Sequence, residues 1–247
     1  MNEVASSTLD ATIDDVTTIN QEVIKVTFRT SNPLPSWQPG QYLLWHVSPK
    51  GHHAPFSIAS RHDNDDPHRL QLHIRLNPQS EMGQRITERL ADTTTQTALT
   101  LPLGQCHYGR IDANRPLVIL AGSTGFAQAK PIFEQTLADQ WAQPVYLFWG
   151  NVSGTAFYDL DQLAAWSKPT HHWAYAVTSG DSDTPPGGLN GLVHEAALSQ
   201  IDMDTLRQSQ ILISGSPNMV YSIVDTLTEL GVPESAFLSD VFDYAPR

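Results

Sequence analysis

The sequence predicts a chain in two parts, an antiparallel β-barrel followed by an α/β domain with a parallel sheet. In the first part, short apolar strands recur between turns that carry Gly and Pro, as in a closed antiparallel barrel. In the second part, strand and helix patterns alternate five times, which favours a doubly wound sheet. The 247 residues suffice for two small domains, and we expect these to be residues 1–112 and 113–247.

The barrel strands are indicated by β-branched and alternating apolar residues. Residues 69–76 alternate apolar and polar side chains, as a half-buried strand should. Residues 81–90 have the pattern of one short helix between strands. The other strands that this pattern predicts in the first part are residues 23–28, 41–47 and 53–60.

The second part begins with a continuous apolar run at residues 117–121, as a parallel strand buried on both faces requires. Helices and strands then alternate to the end of the chain. The predicted helices are residues 127–140, 160–166, 192–198 and 220–230. The other predicted strands are residues 145–149, 173–178, 211–214 and 237–242.

Charge and composition exclude several classes of function. The 26 acidic residues outnumber the 14 Lys and Arg residues, and the formal net charge of −12 argues against nucleic acid as a partner. Because Cys106 is the only cysteine, a disulfide framework, a thiolate zinc site and an iron–sulfur cluster are excluded. The adjacent histidine pairs at 52–53 and 171–172 point apart on a strand, so we expect no metal site. Without a signal peptide or a membrane-length apolar run, we expect a cytoplasmic protein with no membrane partner.

A glycine turn follows the first parallel strand, in the order Gly122-Ser123-Thr124-Gly125. Glycines let a ligand approach the backbone, and the helix that follows offers free N–H groups and the positive end of its dipole. Both properties suit a pyrophosphate group. The motif is not the G-x-G-x-x-G fingerprint, and taken alone it is equally compatible with a tight turn that binds nothing.

A second motif lies in the barrel, where Pro55-Phe56-Ser57 follows the turn sequence Pro39-Gly40. An aromatic ring followed by a hydroxyl can pack against a flat ring and donate a hydrogen bond to its edge. Taken in isolation, the segment is better explained as a barrel strand with one inward Phe. A third candidate is Trp149, at the carboxyl end of a parallel strand, which is the usual ligand edge of such sheets.

Together these motifs resemble the ferredoxin–NADP reductase superfamily, and most closely its small bacterial NAD(P)H:flavin oxidoreductases of the luciferase-associated type. The resemblance rests on residues 39–42, 55–60, 122–126, 146–150 and 214–219, with an aromatic C-terminal segment at 240–244. It extends from about residue 12 to residue 244. It implies a six-stranded antiparallel Greek-key β-barrel, followed by a Rossmann-like five-stranded parallel sheet with flanking helices.

The resemblance also implies roles for particular residues. Ser57 would place its hydroxyl near flavin N5, and Thr124 would lie nearest the reacting nicotinamide ring; these two are the candidate catalytic residues. Ile58 and Ala59 would offer backbone groups to the pyrimidine edge of the flavin. The candidate flavin contacts are Pro55, Phe56, Ser57, Ile58, Ala59, Phe242 and Tyr244. The candidate nicotinamide contacts are Gly122, Ser123, Thr124, Gly125, Gly215, Ser216 and Pro217.

Two departures from the family pattern modify these expectations. Ala54 stands where relatives usually carry an Arg for the flavin phosphate. Because a charge-assisted hydrogen bond is worth roughly 1.5–3 kcal/mol, we expect weak flavin binding or tolerance of riboflavin, unless His52, His53 or Arg75 substitutes. Asn151-Val152-Ser153 replaces a segment that commonly carries Arg, which favours NADH over NADPH.

The function that this resemblance implies is NAD(P)H-dependent flavin reduction. A hydride would pass from nicotinamide C4 to flavin N5, and the flavin (FMN, FAD or riboflavin) would be a substrate released in its reduced form. One alternative is a flavoprotein electron-transfer subunit that serves an oxygenase, a ferric chelate or an iron–sulfur partner. Another is a non-catalytic module that binds a nucleotide or a protein.

Overall fold

The computed structural model describes residues 5–48, 51–167, 171–180 and 183–247. In the first part of the chain, the described residues form six antiparallel strands in the order β4-β3-β6-β1-β2-β5. A hydrogen bond from Ala59 N to Gln71 O, 2.8 Å long, brings the two outer strands together and nearly closes a barrel. The strands are Ser7–Thr18 (β1), Val23–Arg29 (β2), Tyr42–His46 (β3), His53–Ser57 (β4), Arg69–Arg75 (β5) and Thr97–Leu103 (β6).

The barrel core consists of the inward side chains of these strands. Phe28 and Trp45 are fully buried and meet edge to face, with ring centroids 5.2 Å apart. One helix, Glu81–Ala91 (α1), interrupts the strands as the sequence predicts. It begins there because the Ser80 side chain accepts a hydrogen bond from Gly83 N and caps the first turn.

In the second part of the chain, the described residues form a parallel sheet in the order β10-β9-β8-β7-β11-β12. The five-stranded sheet of our prediction is present with a sixth strand, the two-residue segment Leu189–Asn190 (β10) on its edge. The other strands are Leu117–Gly122 (β7), Val145–Asn151 (β8), His172–Thr178 (β9), Gln210–Ser214 (β11) and Phe237–Leu238 (β12).

Helices cover both faces of this sheet, and two of them differ from the sequence prediction. The predicted strand at residues 237–242 ends at Leu238, because Asp240 takes a helical backbone conformation and its carboxylate turns inward to Gln128. A helix at Met203–Gln208 was not predicted, although Asp202 caps it by accepting from Thr205 N. The helices are Phe126–Ala138 (α2), Leu160–Trp166 (α3), Val193–Gln200 (α4), Met203–Gln208 (α5), Pro217–Glu229 (α6) and Val241–Tyr244 (α7).

Buried polar contacts join the barrel to the α/β part. The Gln128 amide nitrogen, which is buried on α2, donates to Gly40 O before β3 at 3.1 Å and to Cys106 O after β6 at 3.2 Å. The same nitrogen lies 2.7 Å from Asp240 Oδ2 near the C-terminus. A single side chain thus links the barrel, helix α2 and the C-terminal segment.

A second junction joins strand β5 to the segment after β8. His73 Nδ1 and the Tyr158 hydroxyl oxygen lie 3.2 Å apart, and the two rings meet edge to face. Burial, with a smaller contribution from Lys130 and Lys25, lowers the pKa of His73 to about 3, so its imidazole is neutral at physiological pH.

Over the described ranges, the helices are too short or too polar for any of them to cross a bilayer. The same residues contain no group of three His, Cys, Asp or Glu side chains placed to hold a metal ion.

Candidate functional site

A cleft of about 700 Å³ lies at the carboxyl ends of the central parallel strands. Gly122 ends β7 and Ser216 follows β11, so the cleft spans the point where the strand order reverses. That point is where open α/β sheets bind ligands. The barrel contributes the opposite wall with the turn between β1 and β2, residues 20–22, and with Arg75 at the end of β5.

The glycine turn in this cleft is held from beneath by Trp149. The indole nitrogen donates a 2.8 Å hydrogen bond to Ser123 O, and the ring stacks on Phe126 with centroids 3.8 Å apart. Ser123 has a φ of 50°, a left-handed conformation that costs a non-glycine residue roughly 1–2 kcal/mol. Because Trp149 is fully buried, its predicted direct contact with a ligand is wrong. Its side chain positions the Ser123 carbonyl instead.

The glycines of the turn make room for protein atoms as well as for a ligand. A Cβ on Gly125 would stand 2.1 Å from Ser214 O, so this glycine lets the turn pack against the end of β11. A Cβ on Gly122 or on Gly215 would meet Met219 Sδ at 2.4 or 2.6 Å. Met219 therefore lies across both predicted glycine segments and forms part of the wall of the cleft.

Two helices of eight residues or more begin at the cleft. Helix α4 begins at Val193, and α6 begins at Pro217 after the cap residue Ser216, whose hydroxyl oxygen accepts from Met219 N. Their N-terminal residues line the cavity, so the positive ends of both dipoles face it. Thr124, the candidate nearest the reacting ring, is half-buried in the turn and does not line the cavity.

An unsatisfied polar atom belongs to a residue that lines the cleft. Asn151 Nδ2, at the carboxyl end of β8, is buried and has no hydrogen-bond partner among the described residues. Thr178 Oγ1, at the paired end of β9, is also buried and without a partner there, but Thr178 does not line the cleft. A buried donor left unpaired costs about 1–3 kcal/mol, so this position favours a ligand with hydroxyl or carbonyl oxygens. Burial lowers the pKa of His194, which lines the cleft from the start of α4, and so favours its neutral form.

The barrel motif lies on β4, and none of its residues lines this cleft. Ser57 pairs with Tyr42 across the strands and is half-buried, as is Phe56, whereas Pro55 is exposed. The Ser57 hydroxyl makes no hydrogen bond to any residue in the described ranges and remains available to a ligand. Ala54, at the position of the family Arg, is buried at 7% exposure.

The N–H groups of Ile58 and Ala59, which we assigned to the flavin pyrimidine edge, are hydrogen-bonded within the protein. Ile58 N donates to Gln41 O at 3.0 Å, and Ala59 N donates to Gln71 O at 2.8 Å. Because both N–H groups are engaged within the barrel, the predicted contact of these residues with a flavin stays a prediction that would rest on their carbonyl groups. The side chains of both residues are fully buried.

The two aromatic candidates of the C-terminal segment, Phe242 and Tyr244, have different environments. Phe242 packs against Tyr221 of α6 with ring centroids 6.0 Å apart. A flavin that contacts Phe242 as predicted would therefore compete with Tyr221 for this ring. Tyr244 is 65% exposed and free to cover a ligand. Burial raises the pKa of nearby Asp240 to about 6, an effect that repulsion from Asp243 increases and hydrogen bonds from Cys106 and Gln128 oppose. Sequence reasoning missed Asp240, since a single carboxylate carries no motif.

A second cavity, of about 920 Å³, adjoins the first on the barrel side. It lies between the β1–β2 turn and α1, and is lined by Asn77 before the helix and by Thr87 within it. Residues 20–22 and Arg75 line both cavities. The sequence offered no signal for this second space, because its walls come from turns and strand ends.

Comparisons with known proteins agree with this geometry. Residues 8–122 match the model of an FAD-binding domain, and residues 119–225 match that of an oxidoreductase NAD-binding domain. The fold and the site therefore define a two-part oxidoreductase with a flavin-binding barrel and a nicotinamide-binding sheet. The chain belongs to the ferredoxin–NADP reductase superfamily.

Relatives of several kinds share this architecture. Protein RfbI of Salmonella typhimurium is 32% identical over 207 residues, which cover 83% of this chain and 58% of that protein. The terephthalate 1,2-dioxygenase reductase component 1 of Comamonas sp. is 26% identical over 85% of this chain and 60% of its own length. The chain thus spans about three fifths of the length of these two relatives.

One relative and one solved structure match over more of their length. An NAD(P)H-flavin reductase of Vibrio harveyi is 24% identical, over 90% of this chain and 92% of its own length. The solved structure titled ferredoxin reductase in carbazole 1,9a-dioxygenase superposes with a TM-score of 0.82 at 21% identity, over 97% of this chain and 70% of that one. At that identity, the superposition supports the fold alone.

Proposed function

We propose that this protein is an NADH-dependent flavin reductase that takes its flavin as a substrate and releases it reduced. The observation that carries the proposal is the cleft at the carboxyl edge of the sheet, closed on its other side by the barrel. The match with the Vibrio harveyi reductase over nearly all of both chains supports it. The division into residues 1–112 and 113–247 is part of the proposal.

The nicotinamide and flavin rings supply the chemistry when bound, which is transfer of a hydride from C4 to N5. The protein holds the two rings in position. The Ser123 carbonyl, held by Trp149, and the helix ends at Val193 and Pro217 orient the nicotinamide nucleotide. On the barrel, the Ser57 hydroxyl and the Phe56 ring orient the flavin, and Tyr244 covers it. Such positioning accounts for much of the rate of a two-substrate enzyme.

The preference for NADH rests on the lining of the cleft. Asn151 and Ser153 are neutral, and Val152, at 76% exposure, presents an apolar side chain at the rim. The unpaired Asn151 amide suits a ribose hydroxyl, whereas the 2′-phosphate of NADPH needs a cation. Among the described residues that line this cleft, the one Lys or Arg is Arg75, on the barrel side.

Use of the flavin as a passing substrate rests on the segment before Pro55. Ala54 is buried and offers a phosphate neither charge nor hydrogen bond. His53 is exposed and lies beside His46, with ring centroids 5.7 Å apart. The barrel therefore binds the isoalloxazine ring more strongly than it binds the phosphate tail.

The test is to purify the protein and follow NADH oxidation with FMN, FAD and riboflavin in turn, then with NADPH in place of NADH. We expect a colourless protein, comparable kcat/KM for the three flavins, and kcat/KM at least about tenfold higher with NADH than with NADPH. A strong preference for FAD over riboflavin would refute the substrate role. Equal rates with NADPH would refute the cofactor preference.

The second candidate is an electron-transfer subunit that retains its flavin and reduces an oxygenase or another acceptor. The similarity to the terephthalate dioxygenase reductase component favours it. A yellow protein that reduces a ferric chelate or a ferredoxin, and not free flavin, would establish this candidate. A protein that binds NADH but does not oxidise it, whichever acceptor is supplied, would point to the non-catalytic module instead.

A further inference from the structure

The segment at residues 156–158, which follows β8, is held by the barrel at two points. Asn20, in the turn between β1 and β2, donates from its amide nitrogen to Ala156 O at 2.7 Å. His73 on β5 lies with its Nδ1 3.2 Å from the Tyr158 hydroxyl oxygen. Because β2 and β5 are neighbours in the barrel, both contacts come from adjoining parts of it.

Each of the two barrel partners is itself fixed. The Asn20 side-chain oxygen accepts from Glu22 N at 2.9 Å and from Val23 N at 2.7 Å, so its amide keeps one orientation. His73 is 6% exposed, and burial lowers its pKa to about 3. Burial also raises the pKa of the Tyr158 hydroxyl. Both groups are therefore neutral at physiological pH, and the contact between them does not depend on a charge.

The other side of the segment packs against the residues that hold the glycine turn. The Tyr158 ring meets the Trp149 and Phe126 rings edge to face, with centroids 4.8 and 5.8 Å apart. The Phe157 ring meets the same indole at 4.9 Å. Trp149 donates to Ser123 O, and Phe126 directly follows the turn. Tyr158 thus contacts the barrel through its hydroxyl and the support of the turn through its ring.

The separation between the barrel and the glycine turn matters for the proposed reaction, because the flavin lies on one and the nicotinamide on the other. Cα atoms of β5 and of residues 123–125 come within 8 Å of each other. Close-packed aromatic rings resist compression and so transmit a change of position. A displacement of the reacting atoms by about 1 Å can slow a reaction about 100-fold.

We propose that Tyr158 is a positioning residue for hydride transfer, which fixes the glycine turn relative to the barrel through its hydroxyl on His73 and its ring on Trp149. The inference rests on the proposed function and adds to it a residue that contacts neither ligand, since Tyr158 does not line the cleft. Loss of its hydroxyl should therefore change the rate of hydride transfer and not the affinity for NADH or flavin.

The test measures single-turnover reduction of FMN by NADH in the absence of oxygen, with the 247-residue protein in excess over FMN. Y158F removes the hydroxyl and keeps the ring, and N20A removes the second barrel contact of the same segment. Y146F is the matched control, because Tyr146 lies on β8 and stacks on Trp173 with centroids 4.8 Å apart. Its hydroxyl makes no hydrogen bond in the described ranges.

Y158F should lower the limiting rate constant for flavin reduction about tenfold. The half-saturating NADH concentration and the FMN dissociation constant should stay within about twofold of wild type. The deuterium isotope effect on steady-state kcat, measured with NADH labelled at the transferred position, should rise because slower transfer limits the cycle more. N20A should lower the same limiting rate constant, and Y146F should leave it unchanged.

An unchanged rate constant in Y158F, or a fall matched by an equal loss of NADH affinity, would overturn the inference and leave the proposed function in place. A wild type whose flavin is not reduced by NADH would refute both. Should Y158F not fold, N20A decides the question, and a limiting rate constant equal to that of wild type would overturn the inference.

Discussion

The glycine turn at residues 122–125 and the barrel strand β4 carry the two halves of the candidate site, and they are held in opposite ways. The turn rests on buried partners, since Trp149 donates to Ser123 O and the end of β11 packs against Gly125. Strand β4 instead leaves Pro55 exposed and the Ser57 hydroxyl without a partner among the described residues. The turn is thus formed before a ligand arrives, whereas β4 keeps its polar group available for one.

The largest expected effect tests whether packing fixes the turn. G125A would place a Cβ 2.1 Å from the Ser214 carbonyl oxygen and 2.6 Å from its carbon. Because both are backbone atoms, we expect a loss of about 3 kcal/mol or more in the free energy of unfolding, measured by urea titration. G109A is the control, since its nearest atoms are 3.3 Å away on the His107 ring. Equal stability of the two variants would show that the turn is not fixed by β11.

The second prediction concerns Asp240, which is half-buried where the C-terminal segment meets Gln128 of α2. Its pKa is raised from 3.8 to about 6 by burial, so the folded state binds a proton that the unfolded state releases between these values. Below about pH 4 the contribution of Asp240 to the free energy of unfolding is at its maximum. It falls as the pH rises to about 6 and does not change further above that pH, and the full loss is about 3 kcal/mol.

Urea titrations of wild type and D240N between pH 4 and pH 7 measure this effect as a difference. The wild type should lose about 2.4 kcal/mol relative to D240N over this range. D161N, which changes an exposed carboxylate on α3, should keep the wild-type pH dependence. Parallel pH profiles of wild type and D240N would contradict the raised pKa.

A smaller effect is expected beneath the glycine turn. W149F removes the donor to Ser123 O, and should cost about 2 kcal/mol of stability and raise the KM for NADH severalfold. The affinity for flavin should not change. W166F is matched in volume, because Trp166 is also buried and contacts Phe126 but is not bonded to Ser123. A similar rise in KM in both variants would mean that core volume, and not the hydrogen bond, controls the turn.

Strands whose side chains are all buried could be predicted from the sequence, whereas contacts between polar residues far apart in the chain could not. The strand at residues 117–121 was evident because each of its side chains is fully buried. Strand β1 was not assigned, since most of its residues are exposed and only Ala11 and Ile13 are buried. Strand β10 has two residues, too few for any period.

The site shows the same limit. The Gly122–Gly125 turn has a local signature, and the sequence located it. Ser216 was named only as a nicotinamide contact, and its role as the cap of α6 is a finding of the structure. The Gln128–Asp240 contact joins residues 112 positions apart, and the Arg75–Glu22 ion pair joins the end of β5 to the turn before β2. Neither pairing leaves a mark in the local pattern, because only the closure of the barrel against the sheet brings the partners together.

The smallest predicted effect is on β4 and tests the other side of the comparison. S57A should lower kcat/KM about tenfold, or about 1.4 kcal/mol, equally for FMN and riboflavin, because the lost hydroxyl would contact the flavin ring and not its tail. Its stability should stay within about 0.5 kcal/mol of wild type. S60A is the contrasting control, since the Ser60 hydroxyl accepts from Gln71 N at 3.2 Å within the barrel. That variant should lose stability and keep its activity. If S57A instead behaves like S60A, then β4 is held by the protein in the same way as the glycine turn.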